Sequence, residues 1–367
     1  MNKFPQFLKN FDWALFLAIF LLSSFGLMEI YSIALGQETA DLLNFKKQAV
    51  FILIGLVLFF FFSFLDYNFL RNSIKYLYAG TAGFLALVLF IGKTVRGTTG
   101  WFSIAGFGLQ PAEFAKIILI LTLAYFFSSR ALKIRPLKQL LASATIAALF
   151  IGLTFLQPDF GSAIILFLIW LSAIFFSGFG KKYFFAIGMI CVLIFCGLWF
   201  FHFQDYQKGR IFTFLDPNSN SLESGYNINQ ALIAVGSGGL IGRGVGVGSQ
   251  SQLKFLPEAQ NDFIFAVIAE ELGFLGILLV FFFYVIIFYR CLKATQKISN
   301  DFGIFFILGA MGLIFIEMFI NISMNLGLLP VVGISLPFLS YGGSAIISSF
   351  ILLGIVENII IKSKINY

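Results

Sequence analysis

Histidine occurs once in this chain, at His202, and cysteine three times, at Cys191, Cys196 and Cys291. A single imidazole excludes a histidine-built metal centre and a serine–histidine–aspartate triad; His202 reads as a polar residue at a membrane interface. Cys191 and Cys196 fall inside one apolar run and Cys291 follows Arg290 at the end of another, so neither metal-ligand spacing nor a disulfide framework is present. Charge is also scarce: 11% of the 367 residues are Asp, Glu, Lys or Arg. The net charge of +7 is spread over loops, which argues against nucleic acid as a partner. What is abundant is apolar: 59% of residues are hydrophobic and the mean hydropathy is +0.96. No water-soluble domain of this length needs so much, so lipid is the solvent for most of the chain. The 51 phenylalanines accompany frequent Ile, Asn and Lys and reflect base composition rather than function.

The apolar residues fall in runs of about twenty, each able to cross ~30 Å of hydrocarbon as a helix. Long runs in place of alternating ten-residue strands exclude a β-barrel. The pattern predicts an all-α, polytopic membrane protein with ten spans near 11–34, 48–65, 76–92, 112–128, 139–156, 160–178, 183–201, 263–289, 302–325 and 342–360. The whole chain forms one integral membrane domain: helices 1–7 over 1–201, a long outward loop over 202–262, and helices 8–10 over 263–367. Lys3 and Lys9 precede a first run too long for a signal-peptide core, so that run is a retained span. Alternate loops carry fifteen basic residues on one side and eight on the other, with Lys116 inside a span. The positive-inside rule then puts both termini in the cytoplasm. The long loop holds a turn cluster at 216–221, a short helix near 225–234 for the membrane surface, and seven glycines between 236 and 248. Those glycines suit either a flexible connector or backbone brought close to a ligand. They are no dinucleotide fingerprint, because no βαβ unit surrounds them.

Polar groups inside lipid are costly, roughly 2.5–3.5 kcal/mol for a carboxylate at the centre, and mark function more often than accident. The densest set is Glu258, Asp262, Glu270 and Glu271, where a long apolar helix begins. Asp262 stands at its mouth. Glu270, eight residues on, lies about 80° away on a regular helix and would line the same cavity, while Glu271 would face another helix. Three motifs pair proline with an acid at the outward side: Pro111 with Glu113, Pro158 with Asp159, and Pro257 with Glu258. Singly, each suits a helix N-terminus; together they suggest one outward cavity. Glu113 and Lys116 share a helix face and can pair, as a structural ion pair or as part of a site. Glu317, Asn321 and Asn325 recur every four residues and form a polar stripe, which also suits interhelical hydrogen bonding. Glu29 stands alone in the first span.

At these residues the chain resembles the SEDS family (shape, elongation, division and sporulation) of membrane-embedded peptidoglycan glycosyltransferases. The resemblance rests on residues 110–116, 157–161, 236–239, 249–265 and 333–344, and covers the chain from first span to last. Residues 249–253 and 321–325 look more like the rod-shape branch, RodA, than the division branch, FtsW. The resemblance implies polymerisation of lipid II at the outer face of the bacterial cytoplasmic membrane. It implies Asp262 as general base on the acceptor hydroxyl, with Lys208, Arg210, Arg243 and Lys254 facing the diphosphate leaving group. Glu113, Lys116, Asp159, Gln252, Glu258 and Ser340 join as supporting or substrate-binding residues. The outward loop has five acids for its four cations, so a divalent cation, Mg²⁺ or Mn²⁺, is implied on Asp262 beside the diphosphate. The implied partners are lipid II, membrane lipid and a class B penicillin-binding transpeptidase. The sequence departs from the family pattern at Gly100, where Arg is usual, at Ala112, where Ser is usual, and at Asn261, where Thr is usual. A flippase or transporter of lipid-linked precursors is the alternative; a pure scaffold leaves the ionisable groups unexplained.

Overall fold

A computed structural model describes residues 3–36, 42–95, 97–104, 107–130, 135–201, 208–209, 212 and 224–365. Ten long helices stand where the apolar runs predict them: α2 (Trp13–Leu35), α3 (Leu43–Phe64), α5 (Ile74–Ile91), α6 (Pro111–Arg130), α7 (Pro136–Phe155), α8 (Phe160–Phe176), α9 (Lys181–Phe201), α12 (Ile264–Thr295), α13 (Asp301–Asn325) and α14 (Gly343–Ile365). Eight are long and apolar enough to cross a membrane; α8, at 17 residues, is shorter, and α9 opens on Lys181 and Lys182. Short helices among the described residues include α1 (Lys3–Asn10), α4 (Tyr67–Asn72), α10 (Ser224–Gly238) and α11 (Ser249–Gln252). Local chemistry sets several starts. Asp12, Asp159 and Asn300 accept hydrogen bonds from the first turns of α2, α8 and α13, and Pro111 and Pro136 open α6 and α7 where a missing N–H costs nothing.

Helix α14 is the centre, packed on α3, α6 and α13. Its approach to α3 is backbone-close: a Cβ at Gly354 would stand 2.7 Å from the Phe59 carbonyl oxygen. In lipid, such small-residue contacts and hydrogen bonds replace hydrophobic burial as the source of helix association. Helix α9 is the opposite case, with Phe185, Val192, Leu193 and Phe200 all exposed. One end of the bundle gathers both ends of the described chain. Arg290 donates twice to Asp12 (2.8 and 2.5 Å), Glu357 accepts from the Asp12 N–H (2.7 Å), and Lys364 donates to the Asn10 carbonyl (2.6 Å). Asp262 lies at the other end.

Two features depart from the sequence expectation. The loop between α5 and α6 contains a small antiparallel sheet, β1 (Lys93–Val95), β2 (Thr98–Ile104) and β3 (Phe107–Leu109), in the order β1-β2-β3. The eighth long helix also runs six residues past the predicted Tyr289 and is broken at Gly273 (φ 65°, ψ −158°). The glycine loop after α10 fills that break. Arg243 and Gly244 N–H donate to the Glu270 and Glu271 carbonyls, while Phe274 and Leu275 N–H donate to Gly239 and Leu240. A Cβ at Gly273 would meet Gly242 N at 2.3 Å, so both partners must be glycine-bare. The loop is therefore not a free connector but the hydrogen-bond partner of an interrupted helix. Helix α10 packs along α12 rather than lying alone on a surface.

Candidate active site

The Asp262 turn is irregular because Glu258 takes a left-handed conformation (φ 55°), which lets its carbonyl accept from the Asn261 and Asp262 N–H groups. Asn261 closes the turn by donating to the Glu258 carboxylate at 2.8 Å. Three successive carbonyls of this turn are then held from outside. Tyr341 N–H donates to Gln260 (2.8 Å) and the Ser340 hydroxyl to Asn261 (2.6 Å). The Asp262 carbonyl accepts two side-chain amides, Asn321 at 3.0 Å and Asn325 at 2.9 Å. The Asp262 side chain is half-buried, and its Oδ2 lies beside Gly333, where an added Cβ would stand 3.7 Å away.

Below this turn, Lys116 donates to Glu113 and to Glu317, each at 2.7 Å, and all three are buried. Ser348 adds a 3.3 Å bond to Glu113, so the cluster ties α6, α13 and α14. Glu317 and Asn321 are one turn apart on α13, about 6 Å along its axis. The cluster thus sits directly beneath the amide that holds Asp262.

Two of the proline–acid motifs do converge. Gln110 donates to Asp159 at 2.8 Å, and Asp159 also accepts from Ser162 N–H and hydroxyl. Asp159 is buried and serves as the cap of α8. Gly161 of that helix approaches the Val332 carbonyl, which joins the motif to the loop beside Asp262. A Cβ at Gly100 would stand 3.1 Å from Gln157 Oε1, and Ala112 is fully buried; neither observation explains the residue found there.

Other predicted residues lie elsewhere. Glu270 does not line a cavity with Asp262; it is fully buried and accepts from Gln250 N–H (2.8 Å) and Ser251 N–H (3.1 Å), anchoring α11. Glu271 does face another helix, accepting from the Ser32 hydroxyl of α2 at 2.6 Å, as well as from Gly246 N–H. Gln252 donates to Ser32 and Glu271 and is a tether between α2 and α12. Arg243 is exposed and donates to Ser249. Lys254 is exposed on the approach to the Asp262 turn. Lys208 lies over the Trp199 ring at the end of α9. Arg210, His202 and the 216–221 turn cluster lie outside the described residues. Among the described residues no group of three His, Cys, Asp or Glu side chains converges to hold a metal.

This arrangement offers two carboxylates, Glu258 and Asp262, on an immobilised turn at the end of a helix bundle, with Lys254 before them in sequence. The chain matches the family model described as cell cycle protein over residues 12–365. Peptidoglycan glycosyltransferase MrdB of Escherichia coli K12 is 36% identical over 353 residues, 95% of this chain and 93% of that one. Probable peptidoglycan glycosyltransferase FtsW of Geobacter sp. strain M18 is 33% identical over 362 residues, 96% of this chain and 97% of that one. Relatives of both branches thus match at comparable identity. Among solved structures, a chain from work on the structural coordination of polymerization and crosslinking by a peptidoglycan synthase complex has a TM-score of 0.81 at 26% identity, covering 97% of this chain and 98% of that one. The rod shape determining protein RodA of Thermus thermophilus has a TM-score of 0.72 at 25% identity, covering 95% and 96%. A match spanning the first long helix to the last, at these identities and with the same fold, means that the chain belongs to the FtsW/RodA/SpoVE family of cell cycle proteins.

Proposed function

We propose that this protein is a peptidoglycan glycosyltransferase that polymerises lipid II, with Asp262 as its general base. The observation that carries the assignment is the holding of the Asp262 backbone at the mouth of the bundle while its carboxylate stays half-buried beside Gly333. The carboxylate accepts the proton of an acceptor sugar hydroxyl; that oxygen bonds to the anomeric carbon of the donor, and the bond from that carbon to the diphosphate breaks. The diphosphate leaves with its electron pair, still attached to its lipid. Lys254 faces the developing charge, with Arg243, Lys208 and Arg210 as further cations of the same loop. Mg²⁺ sites use one or two carboxylates plus substrate phosphates, and Asp262 is the residue that would hold such a cation here. Such a cation would supply neutralisation of the leaving group.

The likeness to a chain from a complex that polymerises and crosslinks supports a transpeptidase partner of the class B penicillin-binding type. The excess of basic residues at the end where Arg290, Lys362 and Lys364 gather supports both termini in the cytoplasm, and a reporter fused after Lys364 that read as external would refute it. A transporter would share the broken helix α12, but that break is sealed by loop backbone. The test is a gel of glycan products from purified protein with lipid II and Mg²⁺. Asp262→Asn abolishes polymer with the fold intact, and chelation arrests the wild type until Mg²⁺ returns. Full activity in Asp262→Asn would overturn the assignment.

A further inference from the structure

We propose that Asn321 and Asn325 of α13 are positioning residues that fix the peptide plane after the Asp262 Cα, while Ser340 fixes the plane before it, and so set the backbone from which the base projects. The inference rests on Asp262 being the base. The geometry is specific. A carbonyl oxygen that is held fixes the plane of its peptide unit. The plane before Asp262 carries the Asn261 carbonyl, held by Ser340 at 2.6 Å. The plane after it carries the Asp262 carbonyl, held by Asn321 at 3.0 Å and by Asn325 at 2.9 Å. Ala266 and Val267 N–H both bond to Phe263. The two amides that hold the Asp262 carbonyl both come from α13, four residues apart.

Each asparagine does a second task that makes the hold rigid. Asn321 also donates to the Ile334 carbonyl at 2.7 Å, next to the Gly333 that flanks the Asp262 carboxylate. Backbone and side-chain surroundings of the base are thereby tied to one amide. Asn325 accepts from Ala266 N–H at 3.2 Å. Ala266 is the third residue of α12, the usual target of an N-cap side chain, and the cap residue Phe263 has none to offer. Asn325 therefore caps α12 from a neighbouring helix. Both amides are fully buried, so neither reaches a substrate directly. Simple helix-to-helix adhesion would place these donors on any available group; converging on one carbonyl, that of the base, is a positioning arrangement.

The test is steady-state polymerisation by the full-length purified protein, with thermal unfolding measured on each variant. Asn321→Leu removes the donor, Asn321→Ser leaves a shorter one, and Asn325→Asp keeps an acceptor for Ala266 while removing the amide donor. The expected result is a fall in kcat of about tenfold to a hundredfold in Asn321→Leu and Asn325→Asp, the order expected for a base displaced by ~1 Å, with KM within about threefold of wild type. Asn321→Ser falls in between. Wild-type kcat in folded Asn321→Ser and Asn325→Asp would overturn the inference, as would a loss seen only in KM or only in step with lost thermal stability. Asp262→Asn runs beside them: if that variant keeps wild-type activity, it is the assignment of the base that fails.

Discussion

Replacing Lys116 by methionine tests the buried cluster most directly. Its ammonium is shared between Glu113 and Glu317 at 2.7 Å each, and relative exposures of 3%, 8% and 7% leave almost no water to screen the loss. Lys116→Met keeps the length of the side chain but leaves two buried carboxylates facing each other without their cation. Removing one partner of a buried ion pair costs roughly 3–5 kcal/mol, and here two acids lose the same partner, so the upper part of that range applies. At roughly 2–4 °C per kcal/mol for a large domain, unfolding should move down by on the order of 10 °C. Neutralising the two acids as well, in Lys116→Met with Glu113→Gln and Glu317→Gln, should recover most of the drop, because neutral groups carry a much smaller desolvation cost. The assay is loss of the monodisperse peak on heating in detergent. A single variant that melts with the wild type, or a triple variant no better than the single one, would refute the reasoning.

Glu270→Ala removes the acceptor for Gln250 and Ser251 N–H, each worth about 1–3 kcal/mol when left unpaired. Hydrogen exchange should therefore speed up at 249–252, in α11, with α12 unchanged; unaltered protection there would contradict the anchoring role. At the opposite end, burial would raise the Asp66 carboxyl, but Lys362 and the Asn68 N–H outweigh it and hold Asp66 below the usual carboxylate range. That contribution is present above the unfolded carboxylate value and fades only as pH falls through the lower folded one, so it is complete at neutral pH. The pair is exposed and worth about 0–1 kcal/mol, so Asp66→Asn should leave the melting temperature nearly unmoved at pH 7; a drop as large as that of Lys116→Met would show the ranking by burial to be wrong.

The ten long helices were legible because an apolar run of about twenty residues has few alternatives in lipid. The sheet at 93–109 was not. Two of its three strands have only three residues and carry no measurable period, and β2 is also held from outside the sheet, where Thr99 N–H donates to the Gln157 carbonyl at 3.1 Å. The break in α12 was also hidden, since the apolar run continues past Gly273 and only the loop at 239–244 supplies the bonds that let it open. Charge counting, by contrast, grouped Arg290, Lys362 and Lys364 at one end, where the structure has them clasping Asp12, Asp66 and Asn10.

The site shows the same division between patterns that side chains carry and targets that backbone supplies. Glu113 and Lys116 could be paired from spacing alone, because both partners are side chains on one helix. Glu270 was misplaced because the helical count started at Asp262, whereas α12 begins at Ile264 after a turn bent by Glu258 in the left-handed region. Each residue counted before the true start adds 100° of false rotation, enough to turn a loop anchor into a cavity residue. Asn321 and Asn325 were visible as a stripe, yet their target was not, since a carbonyl leaves no mark in a sequence. A catalytic acid on a loop needs its backbone fixed before its chemistry can be placed. It follows that buried amides at helical spacing, near the end of a span that lies beside such a loop, are to be tested against the carbonyls of the loop before they are taken as glue between helices.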